Sequence, residues 1–132
     1  GKALAAYGRE LGMAFQLVDD VLDYGGAQGA LGKNTGDDLR EGKMTLPIIL
    51  ALQAGSEAER ETIGKALGNP QSGETELADI LAIFARHDTL AQTMAKAERH
   101  AEAARAALAN IPQTVERDIL FGVPEFCTAR AY

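Results

Sequence analysis

In the stretch FQLVDDVLDYGG, Phe15 to Gly26, apolar residues recur at helical spacing up to a glycine pair, and three aspartates interrupt them. At about 100° per residue, Leu4, Leu11, Phe15, Val18 and Leu22 share one side. That side is the expected buried face of a helix from about Leu4 to Tyr24, ended by Gly25-Gly26, where no Cβ resists a positive φ. Gln16, Asp19, Asp20 and Asp23 gather opposite, at i, i+3, i+4 and i+7. Taken alone this is unfavourable. Like charges one turn apart cost a few tenths of a kcal/mol each, aspartate is a weak helix former, and a helix C-terminus already carries partial negative charge.

Outward from this segment, Ala, Leu and Glu recur at helical spacing almost throughout, and nowhere do residues alternate apolar and polar with β-branched enrichment. The chain reads as all-α. A Gly-rich connector, GGAQGALGKNTGDD, follows the first helix. Helical pattern resumes near Asp38 or Lys43 and runs through TLPIILALQ, with Pro47 tolerable in its first turn or at a kink. Ser56 to Glu59 reads as a capping box over a short helix to Leu67, and Gly68 to Gly73 as a loop. Two more helices are expected, about Thr75 to Arg86 and Thr89 to Ala109, the second so Ala-rich that it suits close helix packing. A last helix begins after Ile111-Pro112 with Val115, Ile119 and Leu120 on one side, and Gly122 and Pro124 should kink or break it.

The 132 residues are 46% hydrophobic, enough for one packed core, and carry a net charge of -6. The 13 Lys and Arg are scattered, which argues against nucleic acid as a partner. The longest aliphatic run, Leu46 to Leu52, is too short to span a bilayer, and no secretory signal stands at Gly1, so a cytoplasmic location is expected. Cys127, alone, forms no intrachain disulfide and is expected to be a small buried hydrophobe. His87 and His100 lack metal-ligand spacing and read as surface or half-buried helix residues.

A solvated acidic face would account for a generic acidic run. Here the side chains are aspartates, short and stiff, which place carboxylate oxygens one turn apart where a hard cation can share them. Mg²⁺ suits such a cluster because it takes one or two carboxylates and completes its shell with waters and phosphate oxygens. An EF-hand calcium loop has its ligands at alternate loop positions and does not fit. A phosphate-bearing ligand needs fixed cations, and the connector offers Lys33 and Lys43. It is not a Walker A loop: Ala27 stands where the first glycine belongs, and Asn34 follows Lys33 where Ser or Thr should. A Gly-rich loop directly after the aspartates can instead fold Lys33 back over them, and Gly42 lets the backbone come close beside Lys43. Together these residues describe a site for a diphosphate bridged by Mg²⁺.

The pattern Gly12-x-x-Phe15-Gln16-x-x-Asp19-Asp20-x-x-Asp23, then Gly32-Lys33-x-x-Gly36-Asp37-Asp38-Leu39-x-x-Gly42-Lys43-x-Thr45-Leu46-Pro47, resembles the second aspartate-rich region of the trans-polyprenyl diphosphate synthases, octaprenyl and other long-chain members above all. The match is close over about Leu11 to Leu52. The resemblance implies the C-terminal part of an isoprenoid-synthase-type helical bundle, residues 1–132 lacking the half that carries the first DDxxD. DDLRE, Asp37 to Glu41, is not that missing motif, because in the resemblance it belongs to the connector of the second region.

The implied activity is Mg²⁺-dependent condensation of isopentenyl diphosphate with an allylic diphosphate. Asp19 would be the main metal ligand, Asp20 and Asp23 would hold metal waters, Gln16 would act on the allylic substrate, and Lys33 and Lys43 would contact its diphosphate. The resemblance also implies a homodimer for the intact enzyme and inactivity for this chain alone. Two rivals stand beside it: a non-catalytic subunit that binds Mg²⁺-diphosphate or a partner, and a terpene cyclase, whose second metal motif DDLREGK does not match.

Overall fold

The computed structural model describes residues 1–25, 35–111 and 114–131. Every regular element among them is helical: α1 (Lys2–Leu22), α2 (Asp37–Glu41), α3 (Leu46–Ala54), α4 (Glu57–Ala66), α5 (Glu74–His87), α6 (Thr89–Ala107) and α7 (Val115–Ala129), with a 3-10 turn over Leu108–Asn110 between the last two. Helix α1 packs along α6 more extensively than any other pair, and α7 lies against both. The Ala-rich reading of α6 accounts for this. Thr93, Ala97, Ala101 and Ala104 are all buried, a shallow strip that lets two helix backbones approach. Glu10 of α1 and His100 of α6 close the same seam with a side-chain contact at 2.5 Å.

The remaining helices build a second core. α3 is apolar nearly all round, as a helix enclosed by neighbours should be. Its Ile48 and Ala51 meet Ile63 of α4 and Ile80, Ile83 and Phe84 of α5, and Leu39 of α2 and Tyr24 join them. Ser56 and Glu59 form the expected capping box of α4. The Glu59 carboxylate also accepts from Arg86 Nε at 2.8 Å and contacts His87 Nε2 at 2.9 Å, tying α4 to α5. Cys127 is a buried free thiol in the α1–α6–α7 core, as expected.

Three expectations need correction. The buried side of α1 is only partly the expected one: Val18 is buried and Leu11 and Leu22 pack half-buried against the core, but Leu4 and Phe15 are about half exposed, and Tyr7, Ala14, Leu17 and Val21 are buried as well. The true face is rotated by roughly a quarter turn, because the small and aromatic residues facing α6 carry it. Second, the segment after the connector is two helices. Gly42 sits at φ +76 between α2 and α3, and Pro47 occupies the first turn of α3.

Third, α7 runs unbroken through Gly122 and Pro124, with Ile119 exposed rather than packed. A proline deprives the carbonyl four residues earlier of its helical donor. That carbonyl belongs to Leu120, and the Tyr7 hydroxyl donates to it at 2.7 Å. A residue of α1 therefore replaces the bond that Pro124 removes and fastens the two helices together. The expectations for Gly26 and Pro112 lie outside the described residues.

Candidate functional site

The end of α1 and the start of α2 form one junction. Asp23 terminates α1, Tyr24 follows, and Gly25 reverses the chain at φ +111. The backbone returns at Gly36, whose N–H donates to the Asp23 carbonyl at 2.8 Å, and Asp38 N–H then donates to Asp23 Oδ2 at 3.0 Å. Arg40 pins α2 from the other side, donating to Asp37 Oδ1 at 2.8 Å and to the carbonyls of Thr35 and Ser72 at 3.0 and 3.3 Å. The Lys43 N–H donates to the Asp38 carbonyl at 2.9 Å as the chain turns toward α3.

The three aspartates prove unalike. Asp19 is half-buried and keeps contact with solvent, whereas Asp20 and Asp23 are 5% and 0% exposed. Gln16 is exposed on the surface and donates from Nε2 to Asp20 Oδ1 at 3.0 Å. Burial pushes the Asp20 carboxyl above its ordinary range; the Gln16 bond and the Lys43 charge oppose this, and the Asp38 and Asp19 charges add to it. Tyr24, buried and edge-on to Phe84 with ring centroids 4.9 Å apart, feels Asp23, Asp38 and Asp20 together. Burial first, and those charges next, raise its hydroxyl well above the usual value.

Gln16, Asp19, Asp20, Asp23 and Lys43 are thus brought to one junction. Lys33 lies outside the described residues, as does most of the Gly-rich connector. Among the described residues no three His, Cys, Asp or Glu side chains converge into a group able to hold a metal ion. The donors nonetheless fit a hard cation: oxygen only, accumulated negative charge, and one carboxylate open to solvent. One expectation changes in detail. The close approach at Gly42 is to the protein itself, since a Cβ there would stand 3.2 Å from the Cα of Gly68, whose N–H donates to Leu39 at 2.8 Å.

Residues 1–84 match the family model described as polyprenyl synthetase. The chain belongs to the polyprenyl synthetase family. It is 42% identical over 132 residues to an octaprenyl diphosphate synthase of Haemophilus influenzae, and 40% identical over 129 residues to the one from Escherichia coli. These alignments span 99% and 98% of this chain and 40% of each relative. The solved decaprenyl diphosphate synthase of Rhodobacter capsulatus superposes with a TM-score of 0.90 at 39% identity, over 99% of this chain and 40% of that one. A polyprenyl synthase from Caulobacter crescentus, complexed with calcium and isoprenyl diphosphate, gives 0.87 at 40% identity over the same shares. This polyprenyl synthetase chain therefore spans about two fifths of the relatives it matches.

Two participants escaped the reading from sequence. Asp38 was visible in DDLRE but was given no role beyond the connector, and only the fold turns its charge onto Asp20. Tyr24 was read only as the end of the first helix. Its position immediately after Asp23 was the available signal.

Proposed function

We propose that the intact protein containing this chain is a trans-polyprenyl diphosphate synthase, condensing isopentenyl diphosphate with an allylic diphosphate, and that residues 1–132 supply one wall of its active site. The observation that carries this is the junction itself, with Gln16, Asp19, Asp20, Asp38 and Lys43 assembled around the end of α1 in a chain about 40% identical to octaprenyl diphosphate synthases. The calcium and isoprenyl diphosphate bound to the Caulobacter relative support a divalent ion and a diphosphate as ligands.

Asp19 is assigned as the direct Mg²⁺ ligand because it is the most exposed of the three aspartates, with the buried Asp20 and Asp23 behind it in the same acidic cluster. When bound, Mg²⁺ neutralises a departing diphosphate. Lys43, and Lys33 from the connector, are assigned to the diphosphate, whose departing charge they would stabilise. Gln16, anchored on Asp20, presents an amide to the allylic group.

The intact enzyme is assigned as a cytoplasmic homodimer. A relative from Geobacillus stearothermophilus, 31% identical, is named as component 2 of a heptaprenyl diphosphate synthase. No helix among the described residues is long and apolar enough to cross a membrane.

The direct test is calorimetric titration of Mg²⁺ with and without inorganic diphosphate. Binding should be weak alone and tighten with diphosphate, because one helix supplies too few ligands. Equal binding by an Asp19→Ala, Asp20→Ala, Asp23→Ala triple variant would refute the assignment. The 132-residue chain alone should not incorporate labelled isopentenyl diphosphate into allylic primers, since it encodes one wall of a two-walled site; robust turnover by it would overturn that reading.

A further inference from the structure

We infer that Asp23, the third aspartate of the cluster, is a positioning residue that acts through α2 rather than by touching a metal ion. The inference rests on the site proposed above and deepens it. Asp23 is fully buried, in contrast to half-buried Asp19. Both ends of the residue are committed to the returning chain: its carbonyl accepts from Gly36 N–H at 2.8 Å, and its Oδ2 accepts from Asp38 N–H at 3.0 Å. A carboxylate accepting a backbone N–H from the first turn of a helix is a strong, charge-assisted bond. Here it comes from a residue 15 positions away, so it fixes the relative placement of two helices rather than local turn geometry.

What α2 brings is what the site needs. Asp38 and Lys43 both act electrostatically on Asp20, with opposite signs, and neither is on α1. Helix α2 is only five residues long and cannot hold itself in place by its own hydrogen bonds. The contacts that secure it include Leu39 in the core, the Gly68 N–H donating to the Leu39 carbonyl, Arg40 to Thr35 and Ser72, the Gly36 N–H donating to the Asp23 carbonyl, and the Asp23 carboxylate. The last two run to Asp23 at the end of α1, and of them the carboxylate bond is the one a side chain makes. Shortening Asp23 frees the end of α2 next to the site and lets Asp38 and Lys43 drift from Asp20.

The test compares Asp23→Asn, which keeps an oxygen to accept from Asp38 N–H, with Asp23→Ala, which does not. In the native full-length protein, hydrogen–deuterium exchange of a peptide covering 36–46 reports the tie, and titration with Mg²⁺ plus inorganic diphosphate reports the site. Asp23→Asn should leave exchange in that peptide within about twofold of wild type and weaken binding about fivefold through its lost charge. Asp23→Ala should speed exchange at least tenfold and weaken binding about fiftyfold or more. Asp19→Asn, by contrast, should lose binding with exchange untouched. Equal loss of binding in the two Asp23 variants with α2 protection intact would make Asp23 a direct ligand and overturn the inference, as would unchanged exchange in Asp23→Ala. If wild type itself binds no Mg²⁺-diphosphate, the proposed function fails while the exchange comparison still decides the role of Asp23.

Discussion

Replacing Tyr7 with Phe removes one oxygen from α1 and should be felt on α7, 113 residues along the chain. The Tyr7 hydroxyl, whose burial raises its pKa, donates at 2.7 Å to the Leu120 carbonyl, and Pro124 has no N–H to offer that carbonyl instead. An intramolecular hydrogen bond contributes about 1 kcal/mol net, and leaving a buried acceptor unpaired costs about 1–3 kcal/mol, so Tyr7→Phe should destabilise by about 1–2 kcal/mol. In a Pro124→Ala background the restored amide can satisfy Leu120 by itself. The same Tyr7 substitution should then cost no more than about 0.5 kcal/mol, a coupling of about 1 kcal/mol in the double-mutant cycle. Urea unfolding with matched m-values measures all four proteins. Tyr24→Phe is the control, because the Tyr24 hydroxyl is buried with no hydrogen-bond partner among the described residues and its loss should cost little. If Tyr7→Phe costs the same with and without Pro124, the claim that α1 repairs the proline in α7 is wrong.

The other predictions concern separate parts of the chain. Glu59 is held down to about 2 from an ordinary 4.5, first by the Ser56 N–H and then by His87 and Arg86. Its folded-state pKa is depressed, so its stabilisation is complete above about pH 4.5 and fades toward pH 2. The penalty of Glu59→Gln in urea unfolding should therefore shrink over that interval, and a penalty independent of pH would contradict the assignment. Gly42→Ala should destabilise by about 2 kcal/mol, from a left-handed backbone and a Cβ 3.2 Å from Gly68 Cα; a neutral result in the same assay would show that the α2–α3 turn relaxes freely. In the intact enzyme, Lys33→Ala should reduce kcat/KM for the allylic substrate by a few kcal/mol of transition-state stabilisation, and Lys43→Ala by less. Wild-type turnover in Lys33→Ala would remove it from the site.

The helices themselves were largely legible because their signals are local. Ser56 and Glu59 cap α4 within four residues, Gly25 takes the positive φ that ends α1, and Pro47 falls in a first turn. What sequence alone misplaced depended on partners far along the chain. The face of α1 was drawn through Leu4 and Phe15 because large aliphatics weigh most in a periodicity argument. Its actual neighbour is a strip of alanines on α6, to which Tyr7 and Ala14 are better shaped. Likewise Pro124 looks like a breaker until Tyr7 is known to stand opposite Leu120. The aspartates were conspicuous in sequence because they recur at helical spacing, and the resemblance already set Asp19 apart from Asp20 and Asp23, but their unequal burial needed the fold. Asp20 and Asp23 differ from Asp19 because the folded chain covers them more completely.

That covering implies a trade between stability and function that can be measured. Asp20 and Asp23 are at most 5% exposed at the C-terminal end of α1, where helix partial charge is already negative, and Asp38 of α2, 6% exposed, adds a third buried carboxylate beside them. Backbone donors from Gly36 and Asp38 and the Lys43 charge offset part of the cost. The raised Asp20 pKa shows that they do not offset all of it at that position. A fold selected for stability alone would not retain a charge there, whereas a cation site needs it. Asp20→Asn keeps an oxygen to accept from Gln16 and removes only the charge. In metal-free buffer it should therefore stabilise the chain by about 0.5–1 kcal/mol, a typical return for relieving strain at a functional site. With Mg²⁺ and diphosphate present the order should reverse, because wild type alone gains full binding energy. Thermal unfolding in the two buffers makes the comparison. Were Asp20→Asn less stable than wild type without metal, the buried charge would belong to the architecture of the fold, and the trade argued here would not exist.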